Sequence, residues 1–423
     1  MRVSLWMQRF MHRCRCRRTA HRMRAPTQTP GGDVIDRRFS TRAAMLAGAC
    51  DTLFALAACG GGGDGGGAGS HTGAGGTGNP GAASGQTATS GTTAAAVQHI
   101  LFVGDSFTHG RYQPVRGYRA GGAAGSTAAS ALVVDENFGQ TGARQELEAG
   151  PWGGIPGIFA ALAAEAGLQY DVHIEAISQT SLAKNFAAAP AVIAQPLWNA
   201  VVLQELSTKP LPLALTGSSL SDPQAFCSSV KTIETAVHAA APRAGVYLYE
   251  PWARADLAQT LAGDPSATGF AAQYQAALTA LSDANHDAYY AAAGADGAIA
   301  AVAPVGEAWR LAWSQGVANP DPFAASSLPL LWYGIEASND PQIGTPDYAH
   351  PGSAGAYLSG LVLFERITGV DVQRFGASEL AAQQLGVPAA LAVRLQQIAT
   401  QAVQQASAAP IDAAAPAPCT RTQ

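Results

Sequence analysis

The chain has 423 residues, of which 48% are hydrophobic and 13% are charged, and its formal net charge is −5. This length is ample for a sizeable hydrophobic core, but the residues that could build one are distributed unevenly. The negative balance argues against nucleic acid as a partner, because phosphate backbones are bound by clusters of Lys and Arg.

The first 59 residues are predicted to be a leader. An Arg-rich region precedes an apolar stretch over 43–58, which Asp51 interrupts. Basic, then apolar, then small residues is the order found in secretory signals. The ending Leu-Ala-Ala-Cys-Gly resembles the lipobox of bacterial lipoproteins, which implies lipidation of Cys59 and anchoring in the cell envelope, on the periplasmic or outer-membrane face. The alternatives are an ordinary signal peptide of a secreted protein and a twin-arginine signal at Arg37-Arg38.

Residues 60–96 are rich in Gly, Ser, Thr and Ala, and this composition predicts a disordered linker. Behind a lipidated cysteine, such a tether would hold the following domain off a membrane. Without the leader, the chain carries 14 basic and 27 acidic residues, a formal charge of −13. That balance strengthens the case against nucleic acid.

The first clear strand of the folded region leads into a serine at a sharp turn. The apolar run Ile100–Val103 predicts a buried strand, and Gly104-Asp105-Ser106 predicts a strand-to-helix turn. In open parallel sheets, ligands bind at the carboxyl ends of the strands, where helix N–H groups also favour negative charge. Ser106 is therefore a candidate nucleophile, and the structural alternative is a serine that only caps a helix.

Strands and helices alternate through the rest of this region. Further strands are predicted at 172–177, 199–203, 245–249 and 299–305. Helices are predicted at 155–167, 223–241, 266–286 and 353–367. This alternation predicts a mainly parallel sheet of about five strands with helices on both faces. The Gly- and Ala-rich stretch 111–150 is predicted to be a surface insertion, 371–408 a helical extension, and 409–423 a disordered tail.

Two motifs at opposite ends of this region resemble those of the SGNH (GDSL-type) hydrolases. Gly104-Asp105-Ser106-Phe107 resembles the family's first block, and Asp347-Tyr348-Ala349-His350 resembles its Asp-x-x-His near the C-terminus. The resemblance covers roughly 97–370. It implies a three-layer α/β/α, flavodoxin-like fold and a Ser106–His350–Asp347 triad that cleaves esters. The spacing allows the carboxylate of Asp347 to reach one ring nitrogen of His350 while the other faces Ser106.

The chain departs from the family at the residues expected to stabilise an oxyanion. The resemblance implies the backbone N–H of Ser106 as one donor and places Gln179 where the family has a glycine. Glutamine is a poor replacement if that turn requires a positive φ. Leu206 occupies the family's asparagine position and cannot donate, so Gln204 is the candidate for a third donor. These departures indicate a divergent branch.

Two further residues have alternative interpretations. His109, three positions after Ser106, is the rival for the catalytic base, but it is interpreted as a pocket residue, with a loop histidine as an equally consistent alternative. Trp152 is either a platform for a sugar or a core residue, and the core is favoured.

The predicted function is hydrolysis of a small-molecule or polysaccharide ester, the O-acyl carbohydrate being implied by the resemblance only. An O-acetyltransferase, which would use the same triad, is one alternative function. The other is not an enzyme but a glycan-binding lipoprotein. No Cys/His spacing is typical of zinc, and no phosphate-binding loop is found, so no metal or cofactor is predicted. Pairing of Cys227 with Cys419 is left open.

Overall fold

A computed structural model describes residues 96–123, 132–334 and 346–408, together with Cys419. The predicted leader, the lipidation site at Cys59 and the linker up to residue 95 lie outside the described residues. So does the predicted tail, apart from Cys419.

The centre of the molecule is a parallel sheet, accompanied by a separate antiparallel hairpin. The described strands are β1 (Gln98–Gly104), β2 (Ala120–Ala123), β3 (Val133–Asp135), β4 (Tyr170–Ala176), β5 (Ala200–Leu203), β6 (Gly245–Tyr249), β7 (Ala301–Ala303), β8 (Trp332–Gly334) and β9 (Asp347–Pro351). The seven strands of the sheet follow the order β2-β3-β4-β1-β5-β6-β7, and all their pairings are parallel. The strand that leads into Ser106 is therefore the middle strand of the sheet.

Helices connect these strands and continue past the last one. The described helices are α1 (Ser106–His109), α2 (Gly154–Glu165), α3 (Leu182–Ala188), α4 (Pro190–Ile193), α5 (Leu213–Thr216), α6 (Pro223–Ala240), α7 (Ala255–Ala262), α8 (Phe270–Asp296), α9 (Val305–Ser314), α10 (Ser353–Thr368), α11 (Leu380–Gln384) and α12 (Ala389–Ala408). Short 3-10 turns lie at Gly142–Arg144 and Val372–Ser378. Within the described ranges, no helix is both long and apolar enough to cross a membrane.

Successive residues of β1 point to opposite faces of the sheet, as the two-residue period of a strand requires. Ile100 and Phe102 belong to a core cluster that includes apolar residues of α2, α9, α10 and α12. Leu101 and Val103 belong to a second cluster, with residues of α3, α6 and the later part of α8. Helices thus cover both faces, which confirms the predicted three-layer α/β/α fold.

The sheet has seven strands where about five were predicted, because the stretch 111–150 contributes β2 and β3. Val133 and Val134 are buried, and β3 pairs with β4. The prediction of a mere surface insertion was wrong for these strands. Their signal is weak, because β2 reads Ala-Gly-Gly-Ala and β3 has only three residues.

Asp347 and His350 lie on β9, so the Asp-x-x-His motif is part of a strand. β9 pairs with β8 in an antiparallel hairpin that is separate from the large sheet. Gly352 caps the start of α10, which carries the chain back into the core. The histidine and the serine are therefore presented by two different sheets.

Cys227 and Cys419 form a disulfide, with Cα atoms 5.5 Å apart. The bond joins α6 to a residue of the C-terminal segment across 192 positions of sequence. The pairing that the sequence left open is therefore present in the structure.

Candidate active site

The turn between β1 and α1, called here the nucleophile corner, carries the candidate nucleophile Ser106. A glycine and a capping aspartate shape this turn. A Cβ added to Gly104 would lie 2.2 Å from Thr108 Oγ1 and 2.6 Å from Gln204 Oε1, so a larger residue does not fit. Asp105 Oδ1 accepts a hydrogen bond from the backbone N–H of Phe107 at 2.9 Å and caps α1. These contacts place Ser106 directly past the carboxyl end of β1, where it keeps 5% of its surface exposed.

The structure brings Ser106, His350 and Asp347 together. Ser106 Oγ lies 2.8 Å from His350 Nε2, although 244 positions separate the two residues. His350 Nδ1 lies 2.7 Å from Asp347 Oδ2. The three side chains form one continuous line of hydrogen bonds in the order expected of a nucleophile, a base and an orienting acid.

Asp347 is held as an ionised acceptor. Its Oδ1 accepts from the backbone N–H groups of Ala349 and His350, and its Oδ2 also accepts from the hydroxyl of Tyr112 at 2.7 Å. Burial alone would raise the pKa of Asp347, but the hydrogen bonds and the charge of His350 hold it well below its usual range. An ionised carboxylate here fixes the orientation of the imidazole and stabilises its protonated form.

The rival base, His109, faces a different serine. Its Nε2 lies 2.8 Å from Ser178 Oγ, and its ring stacks on Trp152 with centroids 3.8 Å apart. Burial lowers the pKa of His109 to about 3, so its imidazole is neutral near pH 7. Trp152 is fully buried, as expected of a core residue. Of the two histidines, the one within hydrogen-bond distance of Ser106 Oγ is His350.

Gln179 lies three residues past the end of β4 and has a φ of +59°. This is the left-handed region, which costs a residue with a Cβ roughly 1–2 kcal/mol. The turn thus has the conformation that favours glycine, which fits the position assigned by resemblance. Its backbone N–H as an oxyanion donor stays a prediction.

Gln204 braces the nucleophile corner. Its Oε1 accepts from the backbone N–H of Asp105 at 3.0 Å and from Thr108 Oγ1 at 2.8 Å. Its Nε2 donates to the carbonyl of Glu205. These partners fix the orientation of the amide and leave it one N–H for any other acceptor. The contacts indicate a bracing role, and the role of Gln204 as third oxyanion donor stays a prediction.

We expect Gln204→Ala to lower stability as well as activity. The substitution would leave the Asp105 N–H and the Thr108 hydroxyl buried without this acceptor, at about 1–3 kcal/mol each. Denaturant unfolding should show a loss of about 2–6 kcal/mol, alongside a reduced kcat for ester hydrolysis.

A second buried amide provides the control for Gln204. Gln396 on α12 donates to Tyr357 and Gly376, and Gln396→Ala should lower stability while kcat is kept. A fall of roughly 10²-fold in kcat with unchanged stability in Gln204→Ala would instead identify Gln204 as an oxyanion donor.

Sequence reasoning missed two residues at this site. Tyr112, which hydrogen-bonds Asp347, lies in the stretch predicted to be an insertion, and its ring stacks on Tyr333. Trp252 donates its indole N–H to the carbonyl of Ala349 at 2.9 Å. Neither residue belongs to a local motif, because each contact joins segments far apart in sequence.

One group of described residues places possible metal-ligand atoms within 4.8 Å of one another, namely Glu250, His286 and Glu307. His286 Nδ1 is hydrogen-bonded to Glu307 Oε1, so two of the three already form a pair. The prediction that the protein uses no metal or cofactor stays a prediction.

Comparison with known proteins found similarity to solved structures only. No protein-family model and no curated protein matches the chain. Phospholipase A1 from Streptomyces albidoflavus is 15% identical, with a TM-score of 0.35 over 64% of this chain and 98% of its own. The extracellular lipase from Streptomyces rimosus is also 15% identical, with a TM-score of 0.35 over 63% and 98%.

An acetylxylan esterase from Geobacillus stearothermophilus, solved as a catalytic mutant, is 14% identical, with a TM-score of 0.30 over 63% of this chain and 91% of its own. Likeness at this level assigns no activity to the chain. We therefore infer function from the geometry of the site.

Proposed function

We propose that the protein is a serine ester hydrolase of the SGNH type. The observation that carries the proposal is the line of hydrogen bonds from Ser106 Oγ through His350 to Asp347. A serine hydroxyl 2.8 Å from one imidazole nitrogen, with a carboxylate hydrogen-bonded to the other ring nitrogen, is an activated nucleophile.

In the proposed reaction, Ser106 Oγ attacks the ester carbonyl carbon while its proton moves to His350 Nε2. The carbonyl oxygen becomes an oxyanion, which the backbone N–H groups of Ser106 and Gln179 and the side-chain amide of Gln204 are proposed to stabilise. The carbon–oxygen bond to the leaving group then breaks, and His350 returns the proton to the departing alcohol. Water then attacks the acyl-enzyme carbonyl as His350 takes its proton. The bond between the acyl carbon and Ser106 Oγ breaks, His350 returns the proton to Oγ, and the acid is released.

The proposed substrate class is a carboxylic ester. Within this class, the proposed substrate is a carbohydrate that carries an O-acyl group. An acyltransferase would share every step up to the acyl-enzyme and replace water by a sugar hydroxyl. A non-catalytic glycan-binding role leaves the complete triad without a purpose, so the hydrolase is the better account of the site.

A panel of acyl esters with different alcohols, assayed with and without a sugar acceptor, tests the function. We expect release of free acid from at least one ester, with Ser106→Ala as the blank. Acylated sugar as the main product would identify the transferase. Failure of the purified protein to release acid or to transfer acyl groups across the panel would count against both enzymes.

For location, we propose attachment to the cell envelope through a lipidated Cys59. The Cys227–Cys419 disulfide supports an oxidising compartment outside the cytoplasm. Two or more acyl chains give stable membrane binding, whereas one gives only marginal binding.

We expect Cys59→Ala to move the protein from the membrane fraction to the soluble fraction or to block its processing. Unchanged fractionation and processing of that variant would contradict the anchor.

A further inference from the structure

The candidate nucleophile Ser106 and the candidate base His350 are carried by separate sheets. Contacts between the two sheets must therefore fix the distance between their side chains. Ser106 follows β1 of the seven-stranded sheet, and His350 is on β9 of the hairpin. No strand pairing links the described strands of the hairpin to those of the large sheet. The end of β9 that carries His350 continues through Gly352 into α10, which packs in the core.

Trp252 contacts both parts. It lies just past the end of β6 and is 1% exposed. Its ring stacks on Phe107, the residue after Ser106, with centroids 4.9 Å apart and an interplanar angle of 16°. Its indole N–H donates to the carbonyl of Ala349, the residue before His350, at 2.9 Å.

A second hydrogen bond runs in the opposite direction between the same two segments. Trp332 on β8 donates its indole N–H to the carbonyl of Ala253 at 3.2 Å. The segment after β6 therefore donates to one strand of the hairpin and accepts from the other. This pair of bonds fastens the hairpin to the large sheet close to the triad.

From these contacts, we infer that Trp252 is a positioning residue that sets the distance between Ser106 Oγ and His350 Nε2. The inference rests on the proposed ester hydrolysis and assigns Trp252 no contact with the substrate. A displacement of about 1 Å in a reacting group is enough to cost roughly 10²-fold in rate. Loss of the indole N–H should thus slow the chemical step while substrate binding is largely kept.

Trp309 supplies a matched control within the same aromatic stack. It stacks on Trp252 with centroids 4.3 Å apart and is fully buried, but its N–H lies 3.4 Å from Ser359 Oγ on α10. Trp252→Phe and Trp309→Phe each remove a buried indole N–H and a similar volume. Only the first removes the hydrogen bond beside His350.

The experiment compares wild type, Trp252→Phe and Trp309→Phe in the full chain. The rate of Ser106 labelling by a fluorophosphonate, kcat, KM and Tm are measured for each. We expect kcat and the labelling rate to fall roughly 10- to 100-fold in Trp252→Phe, with KM within about threefold. Trp309→Phe should lose a similar amount of Tm but stay within about threefold of wild type in both rates.

A third variant keeps the ring and removes only the donor, through incorporation of 3-benzothienylalanine at position 252. It should reproduce the loss of rate with little loss of Tm. Wild-type rates in this variant, or equal losses of rate in the two Phe variants, would overturn the positioning role. Absence of labelling in wild type would instead refute the proposed hydrolase, so the two failures are distinguishable.

Discussion

Ser106→Ala and His350→Ala should each lower kcat for ester hydrolysis by roughly 10³-fold or more. Alanine at 106 removes the oxygen that forms the acyl-enzyme, and alanine at 350 removes the acceptor of its proton. Because the two residues act as one unit, the double variant should be hardly slower than either single variant. Steady-state hydrolysis of the best ester in the panel measures all three.

Controls for these variants lie elsewhere in the chain. Ser229 on α6 donates its hydroxyl to the carbonyl of Ala225, and His286 on α8 pairs with Glu307. Ser229→Ala and His286→Ala repeat the same chemical changes away from the triad and should keep wild-type kcat. Full activity in His350→Ala, or losses that multiply in the double variant, would contradict the assignment.

Asp347→Asn should cost about 10³- to 10⁴-fold in kcat. The amide keeps the shape of the carboxylate but removes the charge that stabilises protonated His350, and its NH₂ group no longer accepts from the ring. Tyr112→Phe, which removes one hydrogen bond to the same carboxylate, should have a smaller effect of about tenfold or less. Equal losses of kcat in Asp347→Asn and Tyr112→Phe would contradict a catalytic role for the charge of the Asp347 carboxylate.

The pH dependence of the wild type follows from the same geometry. The folded-state pKa of Asp347 lies below its unfolded value of about 3.9. Its carboxylate therefore stabilises the fold above that pH, and this contribution is lost only on stronger acidification. A fall of activity on mild acidification therefore cannot come from Asp347, whereas a protonated imidazole would no longer accept the serine proton. A pH–kcat/KM profile measures this fall, and activity that rises on acidification would contradict a histidine base.

Much of the site could be predicted because its key residues sit in short local patterns. A buried apolar strand followed by Gly-Asp-Ser specifies a corner at the carboxyl edge of a sheet. The three-residue spacing in Asp347–His350 specifies a carboxylate that reaches its own histidine. The positive φ at Gln179 is also a local property. The sequence suggested it because Gln179 occupies a position where the family that the chain resembles has a glycine.

The parts that could not be predicted depend on contacts between distant segments. β2 has no side-chain periodicity to mark it as a strand, and it is formed by pairing with β3. Tyr112 and Trp252 matter because they touch Asp347 and Ala349, more than 90 positions further along the chain. The bracing contacts of Gln204 likewise join it to Asp105 and Thr108, which lie 99 and 96 positions earlier, where β1 ends and α1 begins.

Covalent labelling of the purified protein with a fluorophosphonate, followed by peptide mass spectrometry, reads the reactivity of the serine itself. We expect a single stoichiometric adduct on Ser106, abolished in Ser106→Ala and strongly slowed in His350→Ala. An unlabelled Ser106 in the folded wild type, or an adduct that forms at the same rate without His350, would contradict a serine hydrolase built on this triad.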